Sequence, residues 1–496
     1  MRRLMQLFAL TLALFLAPVP ALATTRALLT ACSDFLTQPD LGSAISGNLH
    51  LIGSALVSAD VRPGNLSIED GTIGTVDALS TALQDAFGQA DENDLSILYL
   101  CTHGVLSSAD DEQVYLLLGD GVSESPLGAQ QLYDLVKDIQ GEKLLIVDAC
   151  FSGALIGRGH PQVGALPGSM LHEPGKAAPL SPFLADPSIH VLTSASGHES
   201  SWYYDSERLS TGAVSYFASA LASGLGLYGA AEADLDGDGS VTLSELHRYL
   251  NVAVPSSSSQ LLSVRAEQLT LPVARGAMLS RPLSGFSYGA SLLTADDPVL
   301  DFSFTVTREG VGVQYRLIDF ADGAWNWEEA KTFRDSGEQP DGTLGVGRKT
   351  RSLTLENLLS EDSGYLMLQI FSVSGSGVAL CSERLIAVQP AAGEPVLSLS
   401  CRGALEHPGF QELPIDVRAG VPAELTVCVF DAEGALVRRL ASSQLTRPTP
   451  GGVAHLYWDG RDAQGVPVEP GTYTVTAEAR IGGVRQKAAA DVTVGP

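Results

Sequence analysis

The chain has 496 residues, with 30 basic and 57 acidic side chains and a formal net charge of −27 at pH 7. A chain this negative is repelled by phosphate backbones and anionic bilayers, which argues against nucleic acid or a charged membrane surface as partner. The length allows about three domains at roughly 100–200 residues each, and the six cysteines are too few for a disulfide-built scaffold.

Residues 1–23 have the pattern of a signal peptide. Arg2 and Arg3 precede an apolar stretch from Leu4 to Leu16, and Ala21-Leu22-Ala23 supplies small residues for cleavage. An N-terminal anchor helix is the alternative. No later stretch reaches ~18 uninterrupted apolar residues, so no membrane span is expected in the mature form. The sequence therefore predicts a secreted, extracellular protein that can associate with a cell surface.

Residues 24–280 alternate between strand and helix patterns, which predicts an α/β domain with a mostly parallel sheet flanked by helices. Apolar spacing predicts helices over 48–56, 75–87 and 127–139, the last opened by Pro126. The pattern of residues 114–118 predicts an added strand or one arm of a hairpin. The serine run 256–259 predicts a soft domain boundary.

Two apolar strands of this domain end in reactive side chains. One leads into Thr102-His103-Gly104 and the other into Asp148-Ala149-Cys150. The helix between them forms a crossover, so we expect the strands to be parallel neighbours whose carboxyl ends meet. A cysteine there needs a base such as histidine, and glycines at 104 and 153 allow close backbone approach. A structural zinc site is a weak alternative, because closed zinc sites need four ligands and only two plausible ligands converge here.

These motifs resemble the caspase-like cysteine peptidases, the clan that holds caspases, metacaspases, legumains and clostripain-type enzymes. A His-Gly ends one strand and Asp-Ala-Cys-x-Ser-Gly ends the next. The resemblance implies that His103 is the general base, Cys150 the nucleophile, and Gly104 a backbone N–H donor to the oxyanion hole. It implies a caspase-like α/β fold over about residues 25–280 and hydrolysis of protein or peptide substrates.

The same resemblance implies a substrate pocket that binds a basic side chain. Asp148 matches the acidic residue of the pocket in metacaspase-like members, and a buried carboxylate suits an arginine or lysine at P1. The alternative is that Asp148 only hydrogen-bonds the turn. The stretch 199–205 resembles the pocket loop of legumain-type members, which makes Asp205 a second candidate.

Residues 154–187 predict a long flexible loop, because they are rich in glycine and proline. Caspases are cut between their two subunits at the matching place. If P1 is basic, Arg158 or Lys176 is a candidate site of self-processing.

Residues 234–245 fill every position of an EF-hand calcium loop, with Gly239 at the sharp turn. The alternative is an acidic surface turn. With a single loop and an unclear entering helix, we expect a structural calcium site rather than a sensor. The predicted ligands are Asp234, Asp236, Asp238, Ser240, Thr242 and Glu245.

The remaining chain predicts two all-β sandwich domains, over 286–390 and 391–496, because short β-rich runs are separated by turns. The second carries Tyr457-Trp458-Asp459-Gly460 and Pro470-Gly471-Thr472-Tyr473 and resembles the Ig-like domain of flagellar hook-capping proteins. Both domains are candidates to bind a cell-surface ligand. One disulfide between two of the cysteines Cys381, Cys401 and Cys428 is possible, but the sequence does not require it.

Together these features predict a secreted cysteine endopeptidase with a Cys/His dyad that cleaves after arginine or lysine. The alternative from another class is a catalytically silent, calcium-stabilised cell-envelope binding protein that keeps the fold. A transpeptidase of the same chemistry is a second enzymatic alternative.

Overall fold

The computed structural model describes residues 23–106, 114–157, 181–197, 199–204, 214–276, 279–321, 324–355, 364–374, 377–389, 396–409, 411–448, 453–481 and 483–495. The predicted signal peptide up to residue 22 lies outside these ranges. Among the described residues, no helix has the length and apolar character needed to cross a bilayer. In the described part of the chain, strand predominates over helix.

The N-terminal α/β region spans residues 25–262. Its strands are β1 Thr25–Ala31, β2 Leu66–Asp70, β3 Leu95–Cys101, β4 His103–Leu106, β5 Val114–Gly119, β6 Glu124–Leu127, β7 Glu142–Asp148, β8 Ile189–Thr193, β9 Tyr203–Tyr204, β10 Val214–Ser215 and β11 Gln260–Leu262. Its α-helices are α1 Ser43–Ser58, α2 Val76–Phe87, α3 Ala129–Val136, α4 Tyr216–Gly224 and α5 Leu243–Ala253.

The main sheet has six strands in the order β11-β8-β7-β3-β1-β2. All neighbours are parallel except β11, which runs antiparallel to β8. Strands β3 and β7 pair in register from Leu95 opposite Glu142 to Cys101 opposite Asp148. The prediction that the strands before His103 and Cys150 are parallel neighbours is therefore confirmed.

Helices cover both faces of this sheet. Alternate strand residues such as Ile97 and Tyr99 face α1, α4 and α5, whereas Leu98 and Leu100 face α2 and α3. Both sets are buried, because successive strand side chains point to opposite faces and each face needs apolar cover. This accounts for the nearly unbroken apolar runs from which the strands were predicted.

A small antiparallel sheet, in the order β4-β5-β6, extends from the end of β3. The predicted arm over 114–118 is thus confirmed as β5, paired with β4 on one side and β6 on the other. Pro126 does not open a helix, because it lies in the edge strand β6, where a missing N–H costs little. Instead Gly128 precedes α3, and its backbone N–H donates to Gln131 Oε1 at 3.0 Å.

The middle β region, residues 283–389, contains two sheets around one apolar core. One has the order β12-β14-β18, and the other the order β13-β20-β19-β15-β16, with β17 also paired to β15. Its strands are β12 Leu283–Tyr288, β13 Leu292–Thr294, β14 Val299–Val306, β15 Gly312–Ala321, β16 Ala324–Trp325, β17 Lys331–Arg334, β18 Gly347–Thr354, β19 Tyr365–Ser374 and β20 Gly377–Gln389.

The C-terminal β region, residues 398–494, pairs a β21-β22-β25 sheet with a β24-β23-β26-β27 sheet around another core. Trp458 is fully buried there, and its indole N–H donates to the Arg461 carbonyl at 3.0 Å. The strands are β21 Ser398–Cys401, β22 Leu413–Arg418, β23 Glu424–Phe430, β24 Leu436–Leu445, β25 Val453–Trp458, β26 Gly471–Ile481 and β27 Val484–Val494.

The serine run 256–259 is not a linker, contrary to the prediction of a soft boundary. All four serines are buried, and the segment leads directly into the sheet strand β11. Ser257 Oγ donates to the Ser194 carbonyl at 2.8 Å. Composition alone misled here, because a serine hydroxyl that finds an acceptor, as those of Ser257 and Ser258 do, can be buried inside a fold.

Candidate active site

Gly104 and Cys150 meet backbone to backbone at the carboxyl edge of the sheet. A Cβ built on Gly104 would lie 1.7 Å from the Cys150 carbonyl oxygen and 3.4 Å from its amide nitrogen. The Thr102 N–H donates to the Asp148 carbonyl at 3.2 Å, which extends the strand pairing towards the two motifs. The backbones of the two segments that carry the predicted site residues His103, Gly104, Asp148 and Cys150 are therefore adjacent.

The ring of His103 is oriented by a backbone carbonyl. Its Nε2 lies 2.8 Å from the Pro39 oxygen, and Phe35 packs against the ring at a centroid distance of 4.7 Å. A carbonyl oxygen only accepts, so Nε2 carries the hydrogen and Nδ1 is the basic nitrogen of the neutral ring. The sequence did not show these partners, because a backbone acceptor in a turn-rich loop leaves no residue signature.

Cys150 is partly buried beneath residues 199–202, here called the site loop. Its Sγ lies 3.7 Å from the Ser201 carbonyl oxygen. Burial raises the pKa of the Cys150 thiol, against the opposing effects of the Ser201 backbone and the Ser200 hydroxyl. A raised pKa favours the protonated thiol, which needs a base to become a nucleophile.

The backbone turns sharply immediately after the cysteine. Phe151 has φ 58° and ψ 13°, a left-handed conformation rare for a bulky residue. Its N–H donates to the Glu199 carbonyl at 2.8 Å, which ties the turn to the site loop. Strain of this kind persists only where surrounding contacts enforce it, and it clusters at functional sites.

Asp148 is buried, with 3 % of its surface exposed. Its carboxylate accepts from Tyr99 at 2.9 Å, Ser201 at 2.9 Å and Ser215 at 2.5 Å. All three donors are neutral hydroxyl groups. Burial raises the pKa of Asp148, while the hydrogen bonds from these hydroxyl groups act to lower it.

Ser201 and Ser215 were missed as site residues, although both touch Asp148. Ser201 also contacts the thiol through its carbonyl, and Ser215 begins α4 by accepting from the Ala218 N–H at 2.9 Å. Serines are frequent in this chain, and only tertiary contact distinguishes these two. The second predicted pocket residue, Asp205, lies outside the described residues.

The predicted processing loop is described at its two ends alone. Residues 152–156 and 182–185 form short 3₁₀ turns, and Arg158 and Lys176 lie outside the described residues. All six cysteines are free thiols, so the disulfide left open among Cys381, Cys401 and Cys428 is absent from the structure.

The predicted calcium loop brings some of its ligands together. One carboxylate oxygen each from Asp234, Asp236 and Glu245 lies within 4.8 Å of the others. This spacing is close to the one at which three oxygens bind a single calcium ion at 2.3–2.6 Å. Asp238 does not belong to this group, and its Oδ1 accepts instead from the Ser240 N–H at 2.7 Å.

The rest of the loop supports the same geometry. Gly237 and Gly239 have positive φ values of 79° and 87°. Thr242 caps α5 and donates its N–H and hydroxyl to Glu245 Oε2, each at 2.9 Å. The loop is preceded by a turn rather than by a helix, which accounts for the unclear entering helix of the sequence analysis. The donor set fits a hard cation.

Comparisons with known proteins give the following matches. Residues 410–483 match the family model of the FlgD Ig-like domain. Caspase-1 from Spodoptera frugiperda is similar at 12% identity and a TM-score of 0.32, over 51% of this chain and 92% of that chain. A protein from Geobacter sulfurreducens is similar at 14% identity and a TM-score of 0.31, over 48% and 92%. No curated protein matches significantly. The resemblance to the Ig-like domain of flagellar hook-capping proteins recurs among these matches.

Proposed function

We propose that this chain is an exported cysteine endopeptidase that uses Cys150 and His103 and has a caspase-like catalytic domain followed by two β-sandwich domains. The observation that carries the proposal is the contact of Gly104 with the Cys150 backbone. It sets the histidine and cysteine motifs side by side at the edge where parallel sheets collect catalytic groups. The orientation of His103 by Pro39 supports the same assignment.

The proposed reaction begins with transfer of the Cys150 proton to Nδ1 of His103. The thiolate attacks the scissile carbonyl carbon, a C–S bond forms, and the N–H groups of Gly104 and Cys150 stabilise the oxyanion. The C–N bond then breaks, and the leaving amine takes the proton from His103. Water, deprotonated by His103, attacks the thioester, and the carboxylic acid leaves as Cys150 regains its proton.

A basic P1 side chain is the proposed preference, and Asp148 supports it. The carboxylate is buried two residues before the nucleophile, and among the described residues its hydrogen-bond donors are hydroxyl groups. An incoming guanidinium or ammonium group would supply a countercharge. Ser201 and Ser215 would then orient the carboxylate from its other sides.

An affinity label tests the proposed activity. A peptidyl acyloxymethylketone with arginine at P1 should modify the wild-type protein at Cys150 and leave Cys150→Ala unlabelled, because the thiolate is the reacting group. Mass spectrometry of the labelled peptide identifies the site. Cys401→Ala is the matched control, since it removes another free and incompletely buried thiol without touching the site.

Labelling that survives in Cys150→Ala would refute the assignment of the nucleophile. A wild-type protein that takes no label and cleaves no arginyl or lysyl peptide, with or without calcium, would instead favour the catalytically silent binding protein.

We further propose that residues 234–245 bind a structural calcium ion. Three clustered carboxylates repel one another unless a cation neutralises them, and Asp234, Asp236 and Glu245 are clustered in this way. The loop leads into α5, whose Leu246 and Leu250 are fully buried in the core beside the sheet. Metal binding would therefore stabilise the packing of α5.

Calcium should raise the melting temperature of the wild-type protein. With a Kd of about 10⁻⁴ M, 10 mM calcium contributes about 2.7 kcal/mol, or roughly 5–10 °C for a domain of this size. Differential scanning calorimetry with calcium and with EGTA measures the shift. Asp236→Asn should abolish most of it, whereas Asp341→Asn, at an exposed turn that bonds only Thr343, should keep it. Equal melting temperatures with calcium and EGTA would contradict the site.

A further inference from the structure

Arg447, which follows β24 in the C-terminal β region, reaches into the N-terminal α/β region. One guanidinium nitrogen donates to the Asn251 carbonyl at 2.7 Å. The other lies 3.0, 2.9 and 2.6 Å from the carbonyl oxygens of Val254, Pro255 and Ser257. A single partly buried guanidinium group thereby binds carbonyl oxygens from the end of α5 and from the turn that follows it.

This turn holds the site loop through one carboxylate. The Ser258 N–H donates to Glu199 Oε2 at 2.7 Å, and its hydroxyl donates to Oε1 at 3.1 Å. The Glu199 carbonyl accepts in turn from the N–H of Phe151, the residue next to Cys150. An unbroken chain of contacts therefore runs from Arg447 to the nucleophile.

The last two residues of the site loop, Ser201 and Trp202, make further contacts with the site and with the middle β region. Ser201 contacts both Cys150 and Asp148, and the Trp202 carbonyl accepts from the Tyr216 N–H at 3.0 Å. The Trp202 ring meets Trp327 of the middle β region at a centroid distance of 5.9 Å. Both β regions thus contribute contacts that restrain this loop.

Charge is concentrated where the three regions join. Burial lowers the pKa of Arg447, and attraction to Glu199 and Glu383 opposes that shift. Glu383 belongs to β20, so the cation lies near one carboxylate of the N-terminal region and one of the middle region. The Thr446 hydroxyl beside it also meets the Tyr365 hydroxyl at 2.7 Å. Loss of Arg447 would leave several buried carbonyls without a donor.

We infer that Arg447 is a positioning residue through which the C-terminal β region orders the site loop. This inference rests on the proposed peptidase function and adds a dependence of the site on a distant region. Arg447 of the docked C-terminal region hydrogen-bonds carbonyls within 254–257, and the adjacent Ser258 hydrogen-bonds Glu199. Glu199 in turn fixes the site loop over Cys150 and Asp148. Undocking would release both the thiol and the pocket.

Arg447→Ala tests this inference in the full chain. Backbone hydrogen exchange in peptides that cover 151 and 199–202 should become at least tenfold faster, and kcat should fall at least tenfold. The matched control is Arg461→Ala, which removes a buried arginine whose carbonyl partners, Gly409 and Gly465, lie within the C-terminal region. It should destabilise that region but leave exchange in the site loop unchanged at temperatures well below melting.

Arg447→Lys covers the case in which the alanine variant does not fold. It keeps the charge but bonds fewer carbonyls, and it should give an intermediate exchange rate and partial recovery of kcat. Wild-type exchange in the site loop of both Arg447 variants, or equal acceleration in Arg461→Ala, would overturn the inference. The exchange result does not depend on turnover, so a wild-type protein without peptidase activity would refute the proposed function separately.

Discussion

Replacing Gly104 by alanine should reduce kcat/KM by at least about 10²-fold while the protein stays folded. The added Cβ would lie 1.7 Å from the Cys150 carbonyl oxygen and 2.8 Å from its carbonyl carbon. Both atoms are backbone, so neither can rotate away as a flexible side chain would. The Gly104 and Cys150 N–H groups must then separate, and loss of even one oxyanion donor costs about 10²–10³ in kcat.

The accompanying loss of stability should be modest. Inserting a methyl group into a packed site costs typically about 1–3 kcal/mol, and circular dichroism should show a cooperative transition at a lower temperature. Gly128→Ala is the matched control, because its Cβ would meet nothing nearer than the Tyr115 ring at 3.4 Å. That variant should keep nearly full activity. An active Gly104→Ala enzyme would show that this backbone contact is no part of the site.

Asp148→Asn should remove the preference for basic P1 residues. Leaving a cationic side chain buried without its carboxylate costs about 2–5 kcal/mol, so kcat/KM for arginyl and lysyl substrates should fall by roughly 10²–10³-fold. Substrates with a neutral P1 should change little. A P1 peptide library cleaved by wild type and variant in parallel measures the difference.

The stability of the same variant should respond to pH in a definite direction. Burial raises the folded-state pKa of Asp148 above its unfolded value. The folded state therefore binds the proton more tightly, and the stability this residue contributes falls as pH rises through the folded pKa. Asp148→Asn lacks this titration, so its melting temperature relative to wild type should increase as pH rises through that range. Asp416→Asn, which removes a buried carboxylate in the C-terminal β region, is the control for P1 preference. An unchanged P1 profile in Asp148→Asn would reduce Asp148 to a structural role.

The arrangement of the strands around the candidate dyad was predictable because it follows from local pattern. The apolar runs before His103 and Cys150 are buried on both faces, and a crossover helix between two such strands makes them parallel. Pro126 shows the limit of such reasoning. The same residue can open a helix or occupy an edge strand, and only the pairing of β5 with β6 decides between them.

The sequence by itself determined the candidate residues for the proposed chemistry. A thiol, an imidazole, a carboxylate and an EF-hand ligand set are recognisable because each reaction or ion requires particular atoms at a particular spacing along the chain. The parallel pairing of the two strands before His103 and Cys150 also follows from the crossover pattern between them.

Only the tertiary structure decided which groups orient these residues. The Pro39 carbonyl on His103, the Ser201 and Ser215 hydroxyls on Asp148, and the Arg447 contacts with the turn after α5 join segments distant in sequence. Backbone carbonyls are common to all residues and serines are frequent in this chain, so no local pattern distinguishes the ones in use. Their roles arise from packing, which brings distant donors and acceptors within about 3 Å.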